Sequence, residues 1–155
     1  MSRKPAWLVI LVPFLMGWEG VDLVARHQAI DPPGVITYCN GRTNADGGNV
    51  RIGQRFTKKE CENFVVPDAI RYDKEMQRCY PMETLHPHRR AAMVDFAYNV
   101  GVGTFCKSSV RRYLKEGNVR AACNALLRFD RANGRVLRGL EHRRQAERVL
   151  CLRED

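Results

Sequence analysis

The sequence lacks the features that mark the special classes of protein. It contains no low-complexity segment and no internal repeat, and its one pronounced apolar run is short, at residues 5–18. Hydrophobic residues make up 45% of the 155 residues and charged residues 28%, which is ordinary for a globular protein. These values exclude a disordered chain, a collagen-like chain, a multi-span membrane protein and a scaffold held together by cysteines alone.

Acidic residues are comparatively few, with 17 Asp and Glu against 26 Lys and Arg, which gives a net charge of +9. This excess favours an anionic partner such as nucleic acid, anionic lipid or a cell-wall polymer, although many basic proteins are merely soluble. Nucleic acid is not expected, because the sequence has no nucleic-acid-binding motif and no interleaved aromatic stripe. We expect Arg143, Arg144 and Glu147 to be structural. The grouped arginines form either a cationic surface or a salt-bridged helical face: Arg89–Arg90, Arg111–Arg112, Arg143–Arg144 and Arg148.

The cysteines are widely spaced, and no C-x-x-C pair occurs among them. An even number without metal-ligand spacing predicts disulfides and an oxidising compartment. Two other interpretations stay open: reduced thiols in a cytosolic protein, and a metal site formed by Cys79, His86, His88 and Cys106. The six cysteines are Cys39, Cys61, Cys79, Cys106, Cys123 and Cys151.

The N-terminal region resembles a signal segment, because Arg3 and Lys4 precede the uncharged run at residues 5–18. The run is shorter than the roughly 18–20 residues that cross a bilayer, it is interrupted by Pro13, and no small-x-small cleavage site follows it. Three interpretations remain open: an uncleaved weak signal anchor, a cleaved signal peptide, and the buried first helix of the domain.

The rest of the sequence predicts a small β element followed by helices, which is class α+β. An irregular polar stretch leads to Asp31, and turn signals with a β-branched segment predict a hairpin or meander over residues 34–55. Thr57 and Glu60 form a capping box that opens a helix, which Pro67 should kink or break. Apolar spacings of three and four predict further helices from about residue 89, over 108–114, over 119–129 and over 140–151.

Two carboxylates and a hydroxyl form a possible catalytic group. Glu19 directly follows the apolar run, and a carboxyl group beside apolar surface retains its proton more readily, as a general acid requires. Asp31 lies in a polar turn and should be ionised, and Thr37 follows on the predicted strand, where it could hold a water. Such a pair is typical of glycosidases, although the spacing alone is weak evidence and is more simply explained by a surface Glu and a turn-forming Asp.

Three ordered blocks of the sequence resemble the phage-type lysozymes, the endolysin family related to T4 lysozyme (glycoside hydrolase family 24). The first block is W-E-G at 18–20, D-P-P-G-V-I-T at 31–37 and C-N-G-R-T at 39–43. The second runs from 90 to 105 and contains F-A-Y-N-V-G-V-G. The third is R-G-L-E-H-R-R-x-x-E at 138–147. The likeness extends over residues 18–152.

The resemblance implies a muramidase, which cleaves the β-1,4 bond between N-acetylmuramic acid and N-acetylglucosamine in peptidoglycan. Glu19 matches the general acid, Asp31 the carboxylate that assists the attacking water or stabilises positive charge, and Thr37 the residue that places the water. Asp22 is a weaker alternative to Asp31. The resemblance also implies that Asn99 and Gly101 line the substrate site, and it implies no metal or cofactor. Arg42 stands where the family usually has a histidine, so it either contacts the substrate or is simply solvated.

The implied fold is mostly helical and has two lobes around a saccharide cleft. The apolar segment occupies residues 1–18 and the catalytic domain residues 19–155, with a small β-hairpin lobe at about 19–60 and a helical lobe at about 80–155. Because the cysteines bracket elements of these lobes, geometry favours three pairs: Cys39–Cys61, Cys79–Cys106 and Cys123–Cys151.

The implied biology is host-cell lysis by a phage. Some members of the family are first held inactive at the inner membrane by an N-terminal signal anchor, so we expect a monomer exported to the host periplasm, with tethering through residues 5–18. The alternative location is the host cytoplasm until a holin releases the enzyme. Alternative functions are a lytic transglycosylase and a non-catalytic domain that binds peptidoglycan or regulates lysis.

Overall fold

A computed structural model describes residues 3–19, 22–27, 32–39, 41–44 and 49–154. Helices dominate, and the short strands pair antiparallel, so the predicted α+β class is confirmed. The helices are α1 (Ala6–Glu19), α2 (Lys58–Met76), α3 (Pro87–Val100), α4 (Val102–Lys107), α5 (Ser109–Lys115), α6 (Val119–Ala125) and α7 (Arg138–Leu152). The strands are β1 (Asp22–Arg26), β2 (Thr37–Cys39), β3 (Arg42–Thr43), β4 (Arg131–Ala132) and β5 (Arg135–Val136).

The chain divides into two compact units. The smaller unit contains residues 12–68, and the larger contains residues 1–11 together with 69–155. Helices α1 and α2 each contribute residues to both units.

The smaller unit is built around a three-stranded antiparallel sheet in the order β1-β2-β3. Thr37 of β2 faces Arg26 of β1 on one side and Thr43 of β3 on the other. Three aromatic rings pack beside the sheet, since Tyr38 stacks on Phe56 at a centroid distance of 4.9 Å and meets Phe64 edge-on at 5.8 Å. A small sheet gains stability from such a cluster because aromatic side chains bury large apolar areas.

The larger unit is organised around α3, whose side chains at positions 91–97 are all buried. His86 caps its N-terminus, Pro87 occupies the first turn, where the missing N–H is not needed, and Gly101 ends it with a φ of +96°. Helix α7 packs along α3 and is held to it by a buried ion pair between Arg143 and Asp95. Short helices α4 to α6 complete this unit.

Helix α1 buries one face of the apolar N-terminal run. Its buried side chains recur at helical spacing, while Val9 and Pro13 lie on the exposed face. The helix continues through Pro13 because the unpaired carbonyl group, that of Val9, belongs to this exposed face, where water can satisfy it. No helix of the described residues is both long and apolar enough to span a bilayer. The buried residues are Trp7, Leu8, Leu11, Val12, Leu15 and Met16.

The expected break at Pro67 is wrong, since α2 runs unbroken from Lys58 to Met76. A proline inside a helix leaves the carbonyl group four residues earlier without its partner. Here that residue is Asn63, and both it and Pro67 are exposed, so water can replace the lost hydrogen bond. The capping box that opens the helix is confirmed by reciprocal hydrogen bonds between Thr57 and Glu60.

Other expectations also need correction. The stretch that follows Glu19 is not wholly irregular, because it contains strand β1. This strand forms through its pairing with β2, and its own sequence does not show a strand pattern. The last helix begins at Arg138, after the unpredicted β4–β5 hairpin, whose turn contains Asn133 and Gly134 at positive φ. The grouped arginines are not one cationic surface, since three of them are buried among partners: Arg89, Arg143 and Arg144.

Disulfide bonding is confirmed, and the structure contains the three pairs favoured by geometry: Cys39–Cys61, Cys79–Cys106 and Cys123–Cys151. Each of the three bonds joins two cysteines of the same unit. The bond between Cys79 and Cys106 excludes the alternative metal site at these two residues, because metal binding requires thiolate ligands and disulfide sulfurs are not thiolates.

Removal of the Cys123–Cys151 bond should lower the free energy of unfolding by about 3–4 kcal/mol, because the bond closes a loop between residues 28 apart and so restricts the unfolded chain. The measurement is urea unfolding of the Cys123→Ser, Cys151→Ser double variant. Wild type in reducing agent is the control and should lose at least as much. An unchanged midpoint under oxidising conditions would contradict this expectation.

Candidate active site

Glu19 ends helix α1 and is half-buried. Its carboxylate lies beside Gly41 in the turn that joins β2 to β3, where a Cβ on that glycine would be 4.0 Å from Oε2. Gly41 has a φ of +78°, a conformation that a glycine adopts without steric cost. The sequence thus places a carboxylate at the end of an apolar helix and a tight turn of the sheet next to it.

Thr37 is buried in the middle strand of the same small sheet. The β-branched residues around it favour the extended backbone, which β1 and β3 then pair on both sides. Asp31, the second predicted carboxylate, lies outside the described residues. Its assignment therefore stays a prediction.

Arg42 begins β3, and its guanidinium group is engaged within the smaller unit. Nε donates a hydrogen bond to the Tyr38 hydroxyl group at 3.0 Å, and Nη1 donates to Asp68 Oδ2 at 2.9 Å. The group also lies 4.7 Å from the centre of the Phe64 ring. Burial lowers the pKa of Arg42, but the hydrogen bond to Tyr38 and the charge of Asp68 outweigh burial and raise it overall. The guanidinium group stays charged, and substrate contact by Arg42 remains a prediction.

Asn99 lies in the larger unit near the end of α3, and Gly101 follows at the junction of α3 with α4. Asn99 contributes to the wall of a cavity of about 510 Å³. The cavity is mostly apolar, and among the described residues that line it Arg131 carries the charge. Its lining is formed by Asn99, Val100, Thr104, Phe129, Arg131, Ala132, Leu137 and Leu140.

Behind Asn99 lies a fully buried group of ionisable side chains from α3 and α7. Arg143 binds both carboxylate oxygens of Asp95 at 3.0 Å, and Arg144 binds Glu147 at 2.7 Å. Arg144 also donates a hydrogen bond to Asn99 Oδ1 at 2.9 Å. The structural role expected for Arg143, Arg144 and Glu147 is confirmed.

The sequence predicts only part of this buried group of ionisable side chains. The R-R-x-x-E spacing places Arg144 and Glu147 on neighbouring turns of one helix, which is a recognisable signal. Asp95 gave no signal, because it lies in the apolar stretch of α3 and its partner is 48 residues away. Burial raises the pKa of Glu147, a hydrogen bond and the charge of Asp95 add to the rise, and the two arginines oppose it.

One of the grouped arginines, Arg112, is exposed on the larger unit, where it lies beside Tyr113 together with Arg128, which was not among the predicted groups. The guanidinium groups of Arg112 and Arg128 lie 5.0 and 5.9 Å from the centre of the Tyr113 ring. Hydrogen bonds from Arg128 and Arg112 to the hydroxyl group lower the pKa of Tyr113.

Comparison with known proteins gives consistent matches. The sequence model of the family described as Phage lysozyme matches residues 16–147. A SAR-endolysin of Bacteriophage PS119 is 32% identical over 88% of this chain and 79% of its own length. A SAR-endolysin of Enterobacteria phage P21 is 31% identical over 92% of this chain and 84% of its own length. The crystal structure of a P22 lysozyme point mutant is 26% identical, covers 99% of each chain and has a TM-score of 0.80, which confirms the lysozyme-like fold.

The raised pKa of Glu147 predicts a pH dependence of stability. Below the ordinary value of 4.5 the carboxyl group is protonated in both states, and its contribution to stability is complete. As the pH rises toward the folded pKa, the unfolded state ionises first, so stability falls by up to about 1.4 kcal/mol per pH unit. Calorimetry across this range should show the decline in wild type and its loss in Glu147→Gln. The control Glu116→Gln, which changes an exposed glutamate, should behave as wild type; the same decline in Glu147→Gln would refute the assignment.

Proposed function

The chain belongs to the phage lysozyme family, and from this membership we propose how its residues act on bacterial peptidoglycan. It is an endolysin with muramidase activity, which hydrolyses the β-1,4 bond between N-acetylmuramic acid and N-acetylglucosamine and thereby lyses the host cell. The supporting observation is the half-buried carboxylate of Glu19 beside the Gly41 turn, inside the matched residues.

Glu19 is proposed as the general acid. Its half-buried position at the end of an apolar helix limits its contact with water, and its carboxylate lies beside the turn at Gly41. In the reaction its proton moves to the glycosidic oxygen while the bond from that oxygen to C1 of N-acetylmuramic acid breaks. Water then supplies the new hydroxyl group at C1 and returns a proton.

Asp31 and Thr37 are proposed as the partners of Glu19. Asp31 would stabilise the positive charge that develops on the sugar ring or assist the attacking water, and Thr37 would help to place that water. The buried position of Thr37 in the middle strand supports a fixed hydroxyl group. The separation of the two carboxylates decides whether the enzyme inverts or retains the configuration at C1.

Further residues are proposed to bind the glycan. Asn99 and Gly101 would line the site on the larger unit, where Asn99 borders a cavity, and Arg42 would contact substrate from β3. The expected division into an apolar segment at 1–18, a small lobe at about 19–60 and a helical lobe at about 80–155 is part of this proposal. The enzyme would act as a monomer and without a cofactor.

Glu19→Gln should lower the rate of peptidoglycan cleavage by about 10²–10⁴-fold, because an amide cannot donate the proton that a general acid supplies. Mass spectrometry of the released muropeptides measures both the rate and the chemistry. Wild type should leave hydrated, reducing N-acetylmuramic acid ends.

The matched control is Glu62→Gln, which removes a glutamate of α2 in the same unit and should cleave as wild type. Full activity of folded Glu19→Gln would refute the general acid assignment. Anhydro ends from wild type would instead indicate a lytic transglycosylase, and the absence of products from the folded, oxidised protein would favour a non-catalytic wall-binding role.

The chain is also proposed to reach the host periplasm after tethering to the inner membrane through residues 5–18. Two observations support this: positive residues precede the uncharged run, and the protein contains three disulfides, which form in oxidising compartments. The names of the relatives from phages PS119 and P21 as SAR-endolysins are consistent with it. Retention in the cytoplasm until a holin acts is the alternative.

Val9→Lys should separate folding from membrane targeting. Val9 is 58% exposed in the folded protein, so the lysine should leave activity on purified peptidoglycan intact. A lysine within an apolar segment opposes membrane insertion by about 2.5–3.5 kcal/mol. Fractionation of cells that express the full chain should therefore find Val9→Lys in the cytoplasm and wild type in the membrane and periplasm.

The matched control is Val149→Lys, which changes a valine of similar exposure, 61%, on the last helix. It should distribute as wild type. Equal export of Val9→Lys and wild type would refute targeting by residues 5–18.

A further inference from the structure

The guanidinium group of Arg144 is fixed in the interior of the larger unit. The side chain is fully buried, its Nη2 donates a hydrogen bond to Glu147 Oε2 at 3.1 Å, and its Nε lies 2.7 Å from Glu147 Oε1 as an ion pair. The face of the group lies 5.0 Å from the centre of the Phe96 ring, a cation–π contact. A planar group held by a carboxylate at its edge and by a ring on its face has little freedom to rotate.

This fixed group determines the orientation of the Asn99 carboxamide. Nη2 of Arg144 lies 2.9 Å from Oδ1 of Asn99. An arginine has only donors, so the atom that it contacts has to be the amide oxygen and not the amide nitrogen. The carboxamide is therefore held with its oxygen toward the interior and its NH₂ group on the other side.

The NH₂ group of Asn99 has no partner among the residues that the structure describes. Asn99 is an exposed residue that borders the cavity of about 510 Å³ described above, so its NH₂ group is open to a ligand there. Other lining residues are largely apolar, so an oriented donor at this wall would be a main source of hydrogen-bond specificity.

The ion pair between Arg143 and Asp95 also helps to fix Arg144, because Arg143 and Arg144 are neighbours in α7. Arg143 binds Asp95 of α3 through two parallel hydrogen bonds and approaches Glu147 to 3.8 Å. Paired bonds between a guanidinium group and a carboxylate fix geometry better than a single contact does. This pair fixes the position of α7 along α3 close to the contact between Arg144 and Asn99.

We propose that Arg144 is a positioning residue: it fixes the Asn99 carboxamide so that the NH₂ group serves as a hydrogen-bond donor to an acceptor oxygen of the peptidoglycan substrate. This inference rests on the proposed function, in which Asn99 lines the substrate site. Loss of the orientation affects binding of the substrate, and it leaves the chemical step carried out by Glu19 intact.

The decisive variant is Asn99→Asp, which keeps an oxygen acceptor for Arg144 and removes the donor with almost no change in size. Its KM for soluble peptidoglycan fragments should rise about tenfold, with kcat and melting temperature close to wild type, since one substrate hydrogen bond is lost. High ionic strength in the assay screens the added negative charge. The matched control is Asn124→Asp, because Asn124 likewise accepts a hydrogen bond from an arginine, Arg148, at 2.7 Å, but on the exposed surface. It should leave KM unchanged.

Arg144→Lys tests the positioning role itself. A lysine cannot hold Glu147 and Asn99 together, so KM should rise by a similar factor, and the Arg144→Lys, Asn99→Asp double variant should be no worse than either single variant. A purely structural role would lower the melting temperature without this non-additive effect on KM.

The outcomes are distinguishable. Absence of cleavage by wild type would contradict the proposed function and not only this inference. An active Asn99→Asp variant with unchanged KM would overturn the inference, as would a folded Arg144→Lys variant with unchanged KM or with additive effects. If Arg144→Lys does not fold, the Asn99→Asp result decides alone.

Discussion

Two buried arginines and two buried carboxylates join helices α3 and α7, and the geometry of the larger unit depends on them. Asp95 and Glu147 are both fully buried; Asp95 contacts Arg143 across the two helices, and Glu147 contacts Arg144 within α7. A buried charge without its partner costs several kcal/mol, so the two helices are stable only in the register that pairs Arg143 of α7 with Asp95 of α3. Asn99, at the surface of this group, takes its orientation from that register.

The disulfides stabilise the two units at other positions. Cys123–Cys151 joins α6 to the end of α7, and Arg89 donates a hydrogen bond to the carbonyl oxygen of Cys151 at 3.0 Å. In the smaller unit, Cys39–Cys61 connects β2 to α2 next to the Tyr38 aromatic cluster. A small sheet of short strands has little core of its own, so the covalent link supports the turn that lies beside Glu19.

The sequence predicted what depends on local chemistry. The capping box at Thr57, the proline and glycine at the ends of α3, and the β-branched strand before Cys39 act through neighbouring residues, and all are found. It missed what depends on distant partners or on solvent. Strand β1 forms by pairing with β2. Helix α2 continues through Pro67 because that face of the helix is exposed to water. The buried position of Asp95 depends on its ion pair with Arg143, which is 48 residues away. The roles proposed for Glu19, Asp31 and Thr37 rest on the resemblance of ordered motifs to the family pattern.

The central claim is that the chain uses water to cleave the bond at C1 of N-acetylmuramic acid. Digestion of purified peptidoglycan in ¹⁸O-labelled water, followed by mass spectrometry of the products, tests it most directly. A muramidase places one ¹⁸O atom at the new reducing end of N-acetylmuramic acid. Unlabelled anhydro ends, or label at N-acetylglucosamine, would contradict the account.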